Sequence, residues 1–151
     1  MSTPGSWARL EFPTRFLDDE INKELAEYYG DSENGEPDIE DGIFCLEDGE
    51  AAYGEFEELE TLLKKKGIPY DRETAMDWNQ PPCRQIYRPA RNGNAEMDER
   101  IQLNSDGEVV VSVRALREVL TADDGFSSGI EAYLDEHFPT YPPLTDWVKE
   151  G

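Results

Sequence analysis

The sequence predicts a single α+β domain, a mostly antiparallel or mixed sheet with helices packed on one face. Three observations carry this. Several short stretches alternate apolar and polar residues, the two-residue period of half-buried strands. Other stretches place apolar residues at i, i+3 and i+4, the period of amphipathic helices. The two kinds are interleaved early in the chain, and strands follow one another later. At 151 residues, 37% hydrophobic and 11% aromatic, residues 1–151 suit one domain with a buried core.

Taken in order, Trp7–Phe12 (WARLEF) alternates and reads as a first strand, ended by Pro13. Thr14 is placed to cap a helix whose apolar stripe is Leu17, Ile21, Leu25 and Tyr28, stopping at Gly30. Residues 31–42 (DSENGEPDIEDG) have no period and read as an exposed acidic loop. Ile43–Leu46 is a short buried strand, and Asp48-Gly49 a turn signal after which Ala51–Tyr53 pairs back. Glu55–Lys66 is the clearest helix: Phe56, Leu59, Leu62 and Leu63 face inward, acids open it, and Lys64, Lys65, Lys66 and Gly67 close it. Ile68–Arg72 then completes a strand–helix–strand unit.

Cys83–Pro89 reads as another strand. Glu99–Leu103 and Glu108–Val113, joined through Asn104–Gly107, form the strongest hairpin pattern. Helices are expected at Val113–Leu120 and Ser128–Phe138, and residues 139–151 as an extended C-terminal tail.

The charge is unevenly placed. The chain carries −21, and Asp18–Glu60 alone holds eighteen acids against one base, Lys23, leaving −4 for everything else. Such a field repels nucleic acid and anionic membranes and attracts cations or basic proteins. No apolar run approaches the roughly 18–20 residues of a membrane span. Residues 1–7 show neither the basic nor the apolar region of a signal peptide. Cys45 and Cys83 have no CxxC spacing. A reducing, cytoplasmic setting is therefore expected.

Chemistry is hard to find. With Asp31 as the first position of a calcium loop, Glu36 stands where glycine is needed and Gly42 where the bidentate glutamate is needed. His137 is the only imidazole and lacks a nucleophile context. Both cysteines read as small buried hydrophobes. There is no P-loop, GxGxxG or HExxH. Arg84 and Arg88, on one strand face, are expected to pair with acids of the same domain. No enzyme, metal or cofactor is expected.

The acids are then the functional candidates. Glu20, Glu24 and Glu27 lie on the solvated face of the first helix, the i to i+4 step rising about 6 Å, near phosphate spacing along a DNA strand. Asp31 extends that row, with Glu33, Glu36, Asp38, Glu40 and Asp41 in the loop; Glu57 and Glu60 offer a second row. The expectation is a non-enzymatic inhibitor that meets a basic, nucleic-acid-binding protein through carboxylates imitating a phosphate backbone. Phage-encoded antirestriction and anti-CRISPR inhibitors act this way, and the likeness is one of charge and size only. An acidic immunity or antitoxin protein capping a basic nuclease is the alternative, for which Tyr29 and Tyr53 beside the acids would serve as contact aromatics. Halophilic adaptation is the third reading. It fits five lysines against nine arginines, but should spread acids over the whole surface.

Overall fold

The first strand does not lie at an edge. In the computed structural model β1 (Gly5–Pro13) is an inner strand of a six-stranded antiparallel sheet, and the rest of the chain is laid to either side of it. Residues 5–29, 38–52, 55–75, 82–91, 93–104, 106, 108–110, 112–121 and 141–149 are described. The other strands are β2 (Asp38–Glu40), β3 (Ile43–Ala52), β4 (Tyr70–Thr74), β5 (Cys83–Arg88) and β6 (Met97–Gln102), in the order β2-β3-β1-β4-β5-β6. Three helices are described: α1 (Asp19–Tyr29), α2 (Glu57–Lys65) and α3 (Val113–Thr121). The expected strand–helix–strand unit is present as β3-α2-β4, but β1 lies between its two strands and is antiparallel to both. The fold class is α+β, with α1 and α2 on one face of the sheet.

Alternation in β1 decides which face is covered. Ala8, Leu10 and Phe12 are fully buried beneath Ile21 and Leu25 of α1 and Phe56, Leu59 and Leu63 of α2, with Phe44 and Leu46 of β3 alongside. Truncating Leu59 or Leu63 to Ala in such a core costs about 2–5 kcal/mol. The other face holds a smaller cluster of Ile86, Ile101 and Leu103 with Tyr141 against it.

Several boundaries differ from expectation. The cap of α1 is Asp18, whose Oδ1 accepts the Ile21 N–H at 2.8 Å. Thr14 instead opens a 3-10 turn (Thr14–Phe16), and its N–H and hydroxyl both donate to the Gly42 carbonyl, at 2.9 and 3.1 Å. Two Asp-Gly pairs compete for hairpin duty, and the first takes it. Asp41 and Gly42 have φ of 52° and 79°, both positive as a type I′ turn requires, and they join β2 to β3. The end of the expected acidic loop is therefore strand and turn.

Asp48-Gly49 is not a turn. β3 runs on to Ala52 along β1, and between Ala8↔Asp48 and Ser6↔Ala51 it carries one residue more than β1, a bulge. Continuous pairing with an inner strand satisfies more backbone groups than folding back at residue 49 would.

The expected 99–113 hairpin shrinks to one bridge, Leu103↔Val109. β6 pairs with β5 instead, while Val109, Val110 and Val113 stay exposed, so a second strand would bury nothing. The expected helix at 128–138, with His137, lies outside the described residues. In the tail, Leu144–Trp147 is a 3-10 turn with Leu144 and Trp147 buried.

That tail is held by arginines. Arg15 donates to the Trp147 carbonyl. Arg88, 1% exposed, gives Nε to the Pro142 carbonyl at 2.6 Å and pairs with Asp71 at 2.9 Å. Arg91 donates to the Asp146 carbonyl at 2.9 Å and lies over the Trp147 ring. Arg84 pairs with Glu73. The expected neutralisation of Arg84 and Arg88 by acids of the domain is what the structure has.

A Cβ on Gly42 would sit 2.5 Å from Val148 Cγ1 at positive φ, whereas one on Gly49 meets nothing within 4 Å. Gly42→Ala is therefore expected to lower stability by about 1–3 kcal/mol in urea unfolding, and Gly49→Ala by less than about 1 kcal/mol. Equal losses would contradict the assignment of turn and bulge.

Candidate protein-binding surface

α1 and α2 run antiparallel. Tyr28, near the end of α1, stacks edge-on against Phe56 at the start of α2, with ring centroids 5.3 Å apart. At the other end, Lys66 follows α2 and reaches the first turn of α1. Its Nζ lies 3.0 Å from Asp18 Oδ2 and 2.7 Å from Glu20 Oε1. Bonding to Glu20, then Asp18, raises the Lys66 pKa. The Ile21 N–H, then Lys66, lowers that of Asp18. Glu20 thus heads the expected acidic row but is committed inside the molecule.

Glu60 is committed more deeply. It is 6% exposed, and Oε2 accepts the Phe56 N–H at 2.8 Å, closing the first turn of α2. Both its oxygens take Arg72 Nη1, at 2.7 and 2.8 Å, and Arg72, 3% exposed, gives Nε to Thr74 Oγ1 at 3.2 Å. Glu55 lies 4.0 Å from Arg72 and 2.9 Å from Arg100. The second carboxylate row, Glu57 with Glu60, therefore does not exist on the surface: Glu60 faces the core and bolts α2 to β4.

Among the described residues Asp18, Glu20, Glu47, Glu55 and Glu60 are held by cations. On the helix layer Glu24, Glu27, Glu57 and Glu58 have no cation at ion-pair distance among the described residues. Glu27 of α1 and Glu58 of α2 both act on Glu24. Partial burial, then Glu27, then Glu58, pushes the Glu24 carboxyl up. Burial, then Glu58 and Glu24, raises the Tyr28 hydroxyl. Glu24 and Glu27 lie in the last turns of α1, where the helix dipole is negative and no base stands in the last turn. Repulsion and the α1 dipole both oppose Glu24 and Glu27 there, while Glu58, in the first turn of α2, is favoured by the dipole of its own helix.

Glu40 and Asp41 are exposed on the β2–β3 hairpin, and Asp38 starts β2. Asp31, Glu33, Glu36 and Tyr53 lie outside the described residues, and Tyr29 is placed only by its backbone at the end of α1. The structure brings Glu24 and Glu27 together with Glu58, which sequence reasoning assigned to the helix dipole alone. Nothing local to Glu58 announces this, because its neighbours come from a helix more than thirty positions away. Among the described residues no helix is long and apolar enough to cross a membrane, and no group of three potential ligands could hold a metal ion. No protein-family model, curated protein or solved structure matches this chain.

Two expectations follow. Arg72→Met strands a buried carboxylate and should cost about 3–5 kcal/mol in urea unfolding, whereas Glu60→Leu with Arg72→Met should cost less than the single change. A double variant less stable than the single would refute the pairing.

Glu24→Gln should raise stability by about 0.2–0.5 kcal/mol at neutral pH and low salt. Because Glu24 titrates above its unfolded value, the native state takes the proton first as pH falls, relieving the repulsion. The advantage of Gln therefore fades on acidification and is gone below about pH 4. Melting curves across pH check the sign, and an advantage that grows on acidification would contradict it.

Proposed function

We propose that this protein is a binding protein, not an enzyme, that inhibits a basic nucleic-acid-binding protein by offering carboxylates to its phosphate-binding surface. The observation that carries this is the Glu24–Glu27–Glu58 seam: carboxylates from two helices brought near one another, with no cation at ion-pair distance among the described residues. A folded domain tolerates such a cluster at the expense of its own stability, and local violations of this kind concentrate at functional sites. Arriving guanidinium and ammonium groups replace repulsion with attraction, so part of the binding energy is strain already present in the free protein. The wider negative field steers a basic partner into encounter, an effect that salt screens.

The seam differs from the single-helix row expected from sequence. Glu20 is tied to Lys66, and the row is replaced by carboxylates from two helices. That compact shape favours a second reading, an immunity-type cap that matches one basic partner without copying a DNA strand. The two differ in competition: a phosphate imitator loses partner to added duplex in proportion to its concentration, while a cap seated beside the cleft does not.

The test uses DNA-binding proteins of the source cell loaded on immobilised duplex at low salt. The protein should release a discrete subset of them, and release should fall steeply between roughly 50 and 200 mM salt. Glu24→Gln, Glu27→Gln and Glu58→Gln combined should weaken release about tenfold or more while the melting temperature stays the same or rises. No release by the parent chain at low salt would remove the proposal, as would undiminished release by a folded triple variant.

A further inference from the structure

We infer that the outer edge of β2 is a strand-addition site for an extended cationic segment of the partner. The inference rests on the reading above, that the partner is basic, and adds which kind of segment it contributes and where that segment lies.

The backbone geometry comes first. β2 is the outermost strand, and no described residue pairs with its outer side. Glu40 and Ile43 flank the two-residue turn and so form the hydrogen-bonded pair; the next pair, Ile39 and Phe44, does not exchange hydrogen bonds. Ile39 therefore turns its N–H and C=O away from β3, toward whatever lies alongside. Its side chain is 57% exposed although Phe44 opposite is buried.

Charge then selects the occupant. Natural edges are defended by lysine, proline, bulges or shortness. This one is short, but its charges are acidic: Asp38 and Glu40 in the strand, Asp41 beside it. Negative charge on a −21 chain repels a second copy of the same edge. Against a lysine- or arginine-bearing strand it is attractive. A strand lying on β2 would place an apolar residue against Ile39 and basic residues against Glu40 and its neighbours, an alternating pattern.

The turn that ends this edge strand is also held. The hairpin turn is gripped by Thr14 through two hydrogen bonds to the Gly42 carbonyl, and Val148 packs against Gly42 from the C-terminal segment. That segment is tied down by Arg15 and Arg91. A strand paired with β3 and anchored at its turn presents its outward groups with less further ordering, which lowers the cost of binding.

The experiment uses the folded full chain at low salt and two fluorescent octapeptides of equal charge, read by anisotropy. One alternates lysine and valine; in the other, proline replaces each valine, so it cannot pair as a strand. The alternating peptide should bind about tenfold tighter. Ile39→Pro, which removes the outward N–H at an edge position where proline is tolerated, and Ile39→Lys, which keeps it but adds like charge, should each abolish that preference. Both should retain parental melting temperatures, since Ile39 is largely exposed. The Glu24, Glu27 and Glu58 to Gln triple variant should weaken both peptides alike and leave their ratio intact. Equal affinity of the parent for the two peptides overturns the strand site and leaves the basic-partner reading standing. Failure of both to bind overturns both. A concentration-dependent dimer in sedimentation that Ile39→Pro dissolves would assign the edge to a second copy and overturn the proposal.

Discussion

One buried ion pair sets the geometry on which the helical layer depends. Glu60 and Arg72 join the start of α2 to β4 through two hydrogen bonds, and the same carboxylate closes the first turn of α2 on the Phe56 N–H. Burying two charges costs several kcal/mol per ion before their attraction is counted, and a well-packed apolar pair often does as well. What the pair supplies that leucine and methionine could not is direction. A guanidinium shared between Glu60 and Thr74 fixes the helix start to one strand position. With Lys66 fastening the far end of α2 to Asp18 and Glu20, α2 is pinned at both ends and lies antiparallel to α1.

Pinning has an electrostatic result. A block of eighteen acids read along the chain suggests a uniformly negative surface, yet the fold sorts it. Asp18, Glu20, Glu55 and Glu60 are spent on internal pairs that hold the helices, while Glu27 and Glu58 are brought near Glu24 by the same framework. The functional reading rests on that sorting, because carboxylates engaged inside the domain have little left to offer a partner.

How much of this could be read from the sequence follows from the range of each interaction. The core face of α2, the alternation of β1 and the β3-α2-β4 unit were legible because hydrophobic period is a local signal and Phe56, Leu59 and Leu63 repeat at helix spacing. The cap of α1 was misplaced by four residues because Thr14 and Asp18 are equally good caps, and only the hydrogen bond from Thr14 to Gly42 decides between them. The two Asp-Gly pairs have the same local meaning. Which becomes a turn depends on β1 being long enough to pair with all of β3. The candidate surface was half visible: Glu24 and Glu27 came from helix periodicity, whereas the loss of Glu20 to Lys66, the burial of Glu60 and the arrival of Glu58 are contacts between distant segments.

The placement of β1 between β3 and β4 has a consequence for how the chain reaches its native state. Leu10 must find Arg72, 62 positions away, as well as Leu46, and neither half of the sheet is complete without it. Contacts of such separation are formed only after a large loop has been closed, and proteins rich in them fold slowly. During synthesis β1 leaves the ribosome before β3 and β4 and must wait for both. Until β4 arrives, the backbone edge of β1 that pairs with it stands open. The strong negative charge of the segment that follows would keep such waiting chains apart.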